Sequence, residues 1–255
     1  MITRRVVPCL LLSGKKLVKT IKFGDAKYIG DPINAVKIFN DKEVDEIMIL
    51  DIEASVQQKP PQFEYLSEVV SESFVPISYG GGINSLEHID KLLQMGIEKV
   101  CLNSVNAKDF ELITEASKKY GAQSVVGVID IKKTLLGRNE IYFKNKKLSI
   151  NMQPVEFAQS LQEFGAGEVL LNFVDRDGTY KGYDLELTKE ISNRLKIPIV
   201  VVGGAGSVED FKRAFHAGAN AVSAGSLFVY HGPHKAVLIN YPTRKQIEDI
   251  IFNKD

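Results

Sequence analysis

The sequence predicts a closed, eight-stranded (β/α)8 barrel of the α/β class, and three observations support this fold. Eight short apolar segments alternate with amphipathic segments along the 255 residues. Because parallel strands need crossover connections, this alternation predicts a parallel sheet covered by helices. Near-continuous apolar segments such as residues 198–202 (PIVVV) suit strands that are buried on both faces. The length and the strand count favour a closed barrel over an open sheet.

An internal repeat points to the same fold. Residues 75–104 recur as residues 197–226 at a constant offset of 122 positions, each copy reading as strand, glycine turn, helix, glycine turn and strand. The residues that recur are Pro76, Ile77, Gly81, Gly82, Ser85, Glu87, Gly96, Val100 and Ser104, matched by Pro198, Ile199, Gly203, Gly204, Ser207, Glu209, Gly218, Val222 and Ser226. A similar relation places residues 6–11 over residues 125–130. The sequence therefore predicts one domain over residues 1–255, built from half-barrels at about 1–122 and 123–255.

The individual elements follow from short apolar runs and from helical periodicity. The predicted strands are Arg5–Leu12, Glu46–Asp51, Val75–Tyr79, Lys99–Asn103, Ser124–Asp130, Glu168–Asn172, Ile197–Val202 and Ala221–Ala224. The clearest helical patterns are Pro32–Asn40, Leu86–Gln94, Asp109–Lys119, Pro154–Phe164 and Val208–His216. Two segments depart from the alternation. Ser13–Gly30 reads as a long, lysine-rich loop after the first strand, and Glu140–Ile150 reads as a small hairpin after the fifth.

Composition and charge exclude several classes of function. The 32 basic residues balance the 32 acidic ones, so the chain has no electrostatic footprint of a nucleic-acid-binding protein. Its longest apolar run, Val6 to Leu12, is too short to cross a bilayer, and the start MITRR lacks the apolar region of a signal peptide. We therefore expect a cytoplasmic protein with neither a nucleic-acid partner nor a membrane partner.

No metal site or cofactor is predicted. Cys9 and Cys101 lie within apolar strand segments and match no metal-ligand spacing, so we expect two buried, reduced thiols. His231 and His234 read as loop residues, because zinc sites need more ligands than this pair provides. The run DRDG at residues 175–178 is too short for a calcium loop.

The repeat predicts two anion-binding seats that face each other across the barrel mouth. Active sites of such barrels lie at the carboxyl ends of the strands, and phosphates commonly bind after strands 7 and 8. Here residues 203–206 (GGAG) follow strand 7 and residues 225–226 (GS) follow strand 8, and the repeat supplies the same features after strands 3 and 4. Glycine lets the backbone approach an anion closely. Two opposed seats imply an elongated substrate with a phosphate at each end, whereas the alternative is that these glycines only form tight turns.

Four carboxylates follow predicted strands. Asp51 ends the second strand, Asp130 ends the fifth, and Asp175 and Asp177 follow the sixth. A carboxylate at the rim of a barrel can act as a general acid or base, but aspartate also caps helices and bonds within loops. Asp130 is the strongest catalytic candidate, because it lies in the middle of the mouth with Lys132 close behind.

With these residues established, the chain resembles HisF, the cyclase subunit of imidazole glycerol phosphate synthase, over almost its whole length. The resemblance rests on residues 9–10 (CL), 17–20 (LVKT), 30–32 (GDP), 50–55 (LDIEAS), 80–83 (GGGI), 175–179 (DRDGT), 203–206 (GGAG) and 225–226 (GS). It implies a lyase-family subunit that receives ammonia from a HisH-like glutaminase and cyclises a doubly phosphorylated ribulosyl nucleotide.

The resemblance also implies roles for individual residues. Family phosphate contacts fall on Gly82, Asn103 and Ser104 at one end and on Asp177, Gly178, Gly204, Ala205 and Ser226 at the other. Catalytic roles fall on Asp130, Asp177 and Lys19, the last in the mobile loop after strand 1. A charged ring that gates ammonia entry falls on Arg5, Glu46, Lys99 and Glu168, at the start of alternating strands. The plainer interpretation of each ring member is an ordinary exposed salt bridge.

One residue departs from the family pattern. The family carries a first catalytic aspartate at the end of strand 1, and this chain has Leu11 there. Leucine cannot transfer a proton, and a positioned acid or base typically supplies ~10²–10⁴-fold of rate. The ordinary cyclase activity should therefore be heavily impaired.

With this substitution the chain looks like a HisF-like paralogous group associated with surface-polysaccharide genes. This likeness implies action with a HisH-like glutaminase and with a sugar amidotransferase that converts an N-acetyl sugar to an acetamidino sugar. Residues 21–35 and the tail SLFVYHGPHKAVLINYP carry this likeness. Three alternatives remain: a genuine histidine-pathway cyclase, a HisA-type sugar isomerase, which needs no ammonia gate, and a scaffold without chemistry of its own.

Overall fold

The computed structural model describes residues 4–107, 109–144 and 150–252. It contains a closed ring of eight parallel strands, which confirms the predicted barrel. The strands, numbered here around the ring in chain order, are β1 (Arg5–Ser13), β2 (Ile47–Asp51), β3 (Ile77–Gly80), β4 (Lys99–Leu102), β5 (Val125–Lys133), β6 (Glu168–Phe173), β7 (Ile199–Val202) and β8 (Ala221–Ala224). Pairing of β8 with β1, from Arg5 opposite Ala221 to Pro8 opposite Ala224, closes the ring.

Helices cover the outside of the ring. They are α1 (Pro32–Asp41), α2 (Phe63–Ser71), α3 (Leu86–Gln94), α4 (Glu111–Tyr120), α5 (Pro154–Glu163), α6 (Leu185–Ser192), α7 (Val208–His216), α8 (Ser226–Val229) and α9 (Arg244–Phe252). The repeated serines explain two of the starts, because Ser85 and Ser207 are the N-caps of α3 and α7. No helix in the described ranges is long and apolar enough to cross a membrane.

Two packed layers hold the barrel together. Alternate residues of each strand point outward and form a large core with the helices, in which Phe39, Phe157 and Phe211 are fully buried. The other residues point into the bore and form a second, smaller cluster of Val7, Cys9, Leu11, Val18, Met48, Cys101, Val126, Val128, Leu170, Val200, Val202 and Ala221. The bore is thus a packed apolar core, as expected for this fold. Both thiols in it are free and buried.

Strand boundaries shift slightly from those predicted. β3 and β7 begin at Ile77 and Ile199, after the repeated prolines and not at Val75 and Ile197. Proline has no N–H to donate to the sheet, so each strand begins at the following residue.

The segment after β1 is not the continuous loop that the sequence predicts. Its residues Lys16–Lys19 and Lys27–Gly30 are strands that pair with each other, and the first also pairs with the end of β1. We call residues 14–30 the strand-1 hairpin. Of the predicted hairpin Glu140–Ile150, the first part pairs Asn139–Ile141 with the end of β5. Residues 145–149 lie outside the described residues.

Candidate functional site

Charged side chains close the amino-terminal mouth of the barrel. Lys99 Nζ lies 2.9 Å from a carboxylate oxygen of Glu46 and 3.1 Å from one of Glu168. Arg5 forms an ion pair with each of the same two glutamates. Glu46 and Glu168 are buried at 4% and 6% exposure, so these ion pairs are not the exposed surface bridges of the plainer interpretation. We call Arg5, Glu46, Lys99 and Glu168 the charged ring.

The charged ring does not come from alternating strands, as the sequence suggested. Its members stand at β1, immediately before β2, at β4 and at β6. The even-numbered strand β8 contributes Ala221 instead, and Arg5 pairs in register with that alanine. Since alanine has only a methyl group, Arg5 can reach inward beside it. Burial lowers the pKa of Arg5, but the carboxylates of Glu168 and Glu46 outweigh burial and raise it, so the guanidinium stays charged.

Above the ring, the bore is almost entirely apolar. Ser78 is in register with Lys99, is fully buried, and its hydroxyl has no hydrogen-bond partner among the described residues. Burial raises the pKa of both Cys9 and Cys101, so these thiols are neutral near pH 7. The side chains of the bore cluster, between the ring and the carboxyl ends of the strands, are therefore uncharged.

A cavity that is open to solvent occupies the carboxyl-terminal mouth. All eight residues with predicted phosphate contacts line it: Gly82, Asn103, Ser104, Asp177, Gly178, Gly204, Ala205 and Ser226. So do Leu11, Lys19 and Asp130. The structure thus brings the predicted catalytic and phosphate-binding residues into one cavity, while the charged ring lies at the opposite end of the barrel.

Each glycine seat is backed closely by the main chain. A Cβ atom on Gly82 would lie 2.5 Å from the Lys59 carbonyl oxygen, and one on Gly204 would lie 2.2 Å from the Gly182 carbonyl oxygen. Both glycines have positive φ, at 71° and 113°. A side chain is therefore excluded at both positions by space and by backbone conformation. Glycine is needed here whether these residues only form tight turns or also bind an anion, so the geometry is compatible with both interpretations.

Asp130 is the best-defined acid in the cavity. Asn103 Nδ2 donates to one carboxylate oxygen and Asn172 Nδ2 donates to the other, each at 2.8 Å. Burial raises the pKa of Asp130 to about 7, against the two amide hydrogen bonds, which favour the ionised form. A carboxyl with a pKa near 7 can accept or release a proton at neutral pH, as a general acid or base must.

The amide of Asn103 suits both protonation states of this acid. Asn103 Oδ1 is buried without a hydrogen-bond partner in the described part of the chain. Rotation of the amide by half a turn would present this oxygen to a protonated Asp130. The site can therefore hold Asp130 as an acid or as a base without movement of the backbone.

Leu11 lies across the cavity from Asp130. β1 and β5 are opposite strands of the ring, and both residues line the same cavity. Leu11 packs in the apolar bore cluster at 9% exposure. The first half-barrel therefore presents a methyl-ended side chain where the second presents a carboxyl.

Lys19 is not in a mobile loop. It belongs to the strand Lys16–Lys19, is 4% exposed, and its Nζ donates to the Cys9 carbonyl oxygen at 2.5 Å. The absence of a side chain on Gly225 makes room for this amine, since a Cβ there would lie 2.0 Å from Nζ. Burial lowers the pKa of Lys19. Pairing of the hairpin with β1 turns this side chain inward.

With the site described, comparison with known proteins identifies the family. A family model described as "Histidine biosynthesis protein" matches residues 5–235. A HisF subunit from Alkaliphilus metalliredigens, named "Imidazole glycerol phosphate synthase subunit HisF", is 40% identical over 232 residues, which are 91% of this chain and 92% of that protein. This chain belongs to the HisF family.

Two further relatives match over nearly the whole chain. The "Putative imidazole glycerol phosphate synthase subunit hisF2" of Pseudomonas aeruginosa is 47% identical over 249 residues, 97% of this chain and 99% of the relative. The Leptospira interrogans "Putative imidazole glycerol phosphate synthase subunit HisF" is 46% identical over 254 residues, 99% and 100% of the two chains. The general kind of protein is thus a HisF-type cyclase subunit, and subunits of this family work with a HisH glutaminase in imidazole glycerol phosphate synthase.

Within this HisF-family site, Asp177 also holds the strand-1 hairpin. Its carboxylate accepts from Thr20 Oγ1 at 2.7 Å and from the Phe23 N–H at 3.3 Å. Its carbonyl oxygen accepts from the Lys22 N–H at 3.0 Å. The hairpin of the first half-barrel is thereby bonded across the mouth to the second.

Two other rim carboxylates serve local structure. Asp51 accepts from the N–H groups of Glu53 and Ala54 at 2.9 and 3.0 Å, and Asp175 accepts from the Lys133 N–H at 2.6 Å. Their geometry matches the loop-bonding alternative.

The sequence prediction missed Asn172, which positions Asp130. It is the last polar residue of β6, and the same strand-end position drew attention to Asp51 and Asp130. Considering amides as well as carboxylates at strand ends would have identified it. As regards metals, the described residues contain no cluster of potential ligands.

Proposed function

We propose that this HisF-family barrel relays ammonia from a HisH-like glutaminase to a phosphate-bearing site, in the amidation of an N-acetyl sugar for surface polysaccharide in the cytoplasm. A sugar amidotransferase would be the acceptor of the ammonia. The observation that carries the proposal is Leu11, which faces Asp130 across a cavity that otherwise retains its predicted residues.

The ammonia route is supported by the order in which charged and apolar regions follow one another along the barrel axis. A charged ring at one mouth leads to an uncharged bore, and the bore leads to the cavity. Neutral ammonia can enter an apolar bore at far lower cost than ammonium, because an unpaired charge is expensive to bury. The unpartnered hydroxyl of Ser78, in register with Lys99 on the neighbouring strand, offers a hydrogen bond to an entering ammonia molecule.

The loss of the first acid argues against full cyclase chemistry. Two acid–base groups on opposite sides of a substrate can protonate one position while deprotonating another, and one group cannot do both at once. Asp130, held by two amides, would be left to act alone. Relay of ammonia does not require the missing group.

A genuine histidine-pathway cyclase is the second candidate, and one observation favours it. Asp130, its partners Asn103 and Asn172, and the buried Lys19 all remain in the cavity. In this alternative Lys19 or a bound water would take over the proton transfer at β1.

The deciding experiment is turnover of the ribulosyl nucleotide substrate by the purified chain with excess ammonium salt. The proposal predicts no turnover above background while the substrate still binds, measured by calorimetry. Turnover at a rate typical of enzymes, about 1–10³ per second, would instead establish the histidine-pathway alternative.

The charged ring offers a separate test in the complex with a HisH-like glutaminase. Lys99→Ala should leave glutamine hydrolysis running while the ammonia appears in solution and not in the product. Lys91→Ala is the matched control, because Lys91 forms an exposed ion pair with Glu87 on α3. Unchanged coupling in the Lys99 variant would remove the ring from the ammonia route.

A further inference from the structure

A second cavity lies beside the main one, on the far side of the seat formed by Gly178 and Ser226. It is also open to solvent. Lys19, Thr20, Gly178 and Ser226 line both cavities. The seat is therefore open on two sides: toward the strand ends, and toward the strand-1 hairpin and the segment after α8.

The walls that belong to the second cavity alone carry two lysines and one histidine. Lys27 comes from the hairpin, and Lys235 and His234 come from the segment after α8. Neither lysine has an ion pair with any described residue, and Asp25 is the acidic side chain of this wall. Buried Lys19 adds a further amine at the junction of the two cavities.

Aromatic rings accompany these charges. Tyr230 lines the second cavity, and Lys235 Nζ lies 5.0 Å from the ring centroid of Tyr180. The Tyr180 hydroxyl donates to the Ser226 carbonyl oxygen at 3.3 Å, so the same ring connects the seat to Lys235. Tyr180 has a φ of 59°, a left-handed conformation that non-glycine residues seldom adopt. The surrounding structure thus holds this ring in place at a conformational cost.

We propose that the seat at Gly178 and Ser226 accepts one phosphate of a diphosphate group, in which two phosphates are joined by an anhydride bond, as in a nucleoside diphosphate. The second phosphate would lie in the second cavity between Lys27 and Lys235, and Tyr230 offers a face for a ring attached to it. A ligand with a single phosphate at this end would need cations in the main cavity only, and the lysines of the second cavity would have no role in binding it. This inference rests on the phosphate-binding role proposed above and specifies the class of ligand.

The test compares AMP, ADP and inorganic pyrophosphate by titration calorimetry on the full chain. ADP should bind about tenfold tighter than AMP, the effect expected of one additional charge-assisted contact. Inorganic pyrophosphate lacks the nucleoside. It should displace ADP if the contacts to the two phosphates supply most of the affinity. Equal affinities for AMP and ADP would overturn the inference.

Two variants locate the effect. Lys235→Ala should reduce the advantage of ADP over AMP to less than about threefold, and Lys91→Ala, on a distant helix, should leave it unchanged. Both lysines are exposed, so neither variant should unfold. Equal weakening of AMP and ADP by Lys235→Ala would contradict the second-cavity assignment. If AMP binds and ADP binds no tighter, only this inference falls; if neither binds, the phosphate seat of the proposed function falls with it.

Discussion

The two halves of the ring, β1–β4 and β5–β8, carry similar glycine turns but differ in the side chains that they present to the cavity. In the second half, β5 ends in Asp130, a buried acid held by two amides with a pKa of about 7. In the first half, β1 presents Leu11 at the corresponding side of the cavity. The glycine seats, by contrast, are retained in both halves, and each is backed by main-chain carbonyl groups at the position where a Cβ would lie.

This difference shows which parts of the repeat the fold requires. The seat glycines are fixed by backbone conformation and by space, so a substitution there would disturb the barrel itself. A side chain that points into the mouth is free of both constraints and can change from acid to hydrocarbon at little structural cost. Chemistry can thus be lost from one half while its architecture persists.

Placing an acid at position 11 would test the comparison with the largest expected effect. Leu11→Asp should raise ammonium-dependent cyclase turnover by ~10²–10⁴-fold, because a positioned acid or base contributes a factor of this size. Initial rates with the ribulosyl nucleotide measure it. Leu11→Asn is the control, since it supplies a similar shape and polarity without a titrating proton. A gain with Asn equal to that with Asp would show that proton transfer at β1 is not the missing function.

Removing the retained acid should change the pH dependence of stability. The folded-state pKa of Asp130, about 7, lies above its ordinary value of 3.8. Between these values the folded protein keeps a proton that the unfolded chain releases, so stability falls as pH rises and is fully reduced above about pH 7. The integrated loss is about 4 kcal/mol, from roughly three pKa units.

Asp130→Asn should lack this loss. Urea unfolding at pH 5 and pH 8 should show the wild type losing about 3 kcal/mol more than the Asn variant over that interval. Equal losses would mean that the carboxyl is ionised across the whole range in the folded protein.

The smallest predicted effect concerns the glycine seats. Gly204→Ala should destabilise the protein by about 1–3 kcal/mol through overpacking against the Gly182 carbonyl, in addition to the cost of positive φ. It should also abolish binding of inorganic phosphate at that seat. Gly137→Ala is the matched control, because Gly137 has a φ of 79° but no atom within 4 Å of a Cβ. Similar unfolding free energies for the two variants would show that close backbone approach is not what requires Gly204.

The sequence was sufficient for the barrel because its signals are local. Each strand is an apolar run, and the repeated serines and glycines mark the helix starts and the turns, so the eight strands were placed to within a few residues. The strand Lys16–Lys19 was missed because a four-residue run between lysines carries little local signal. Its partner, the end of β1, determines its conformation.

The candidate site was predictable to the extent that its residues carry charge or glycine. Asp130 and the glycine seats lie at the carboxyl ends of strands, where the active sites of such barrels are found. Asn172 was overlooked because an amide has no titrating group, although it supplies one of the two bonds to Asp130. The burial of Lys19 depends on contacts with Cys9 and Gly225, which are distant in sequence or unremarkable alone.

The bonds between Asp177 and the strand-1 hairpin have a consequence for local unfolding. Thr20, Lys22 and Phe23 all bond to this one residue, and the hairpin carries Lys19 and Lys27. Surface segments can open locally, at free energies below that of global unfolding. The strands that carry Lys19 and Lys27 pair with each other, and the first also pairs with β1, so only the tip at residues 20–26 depends on Asp177. Loss of these bonds would therefore free the tip while both lysines keep their places at the mouth.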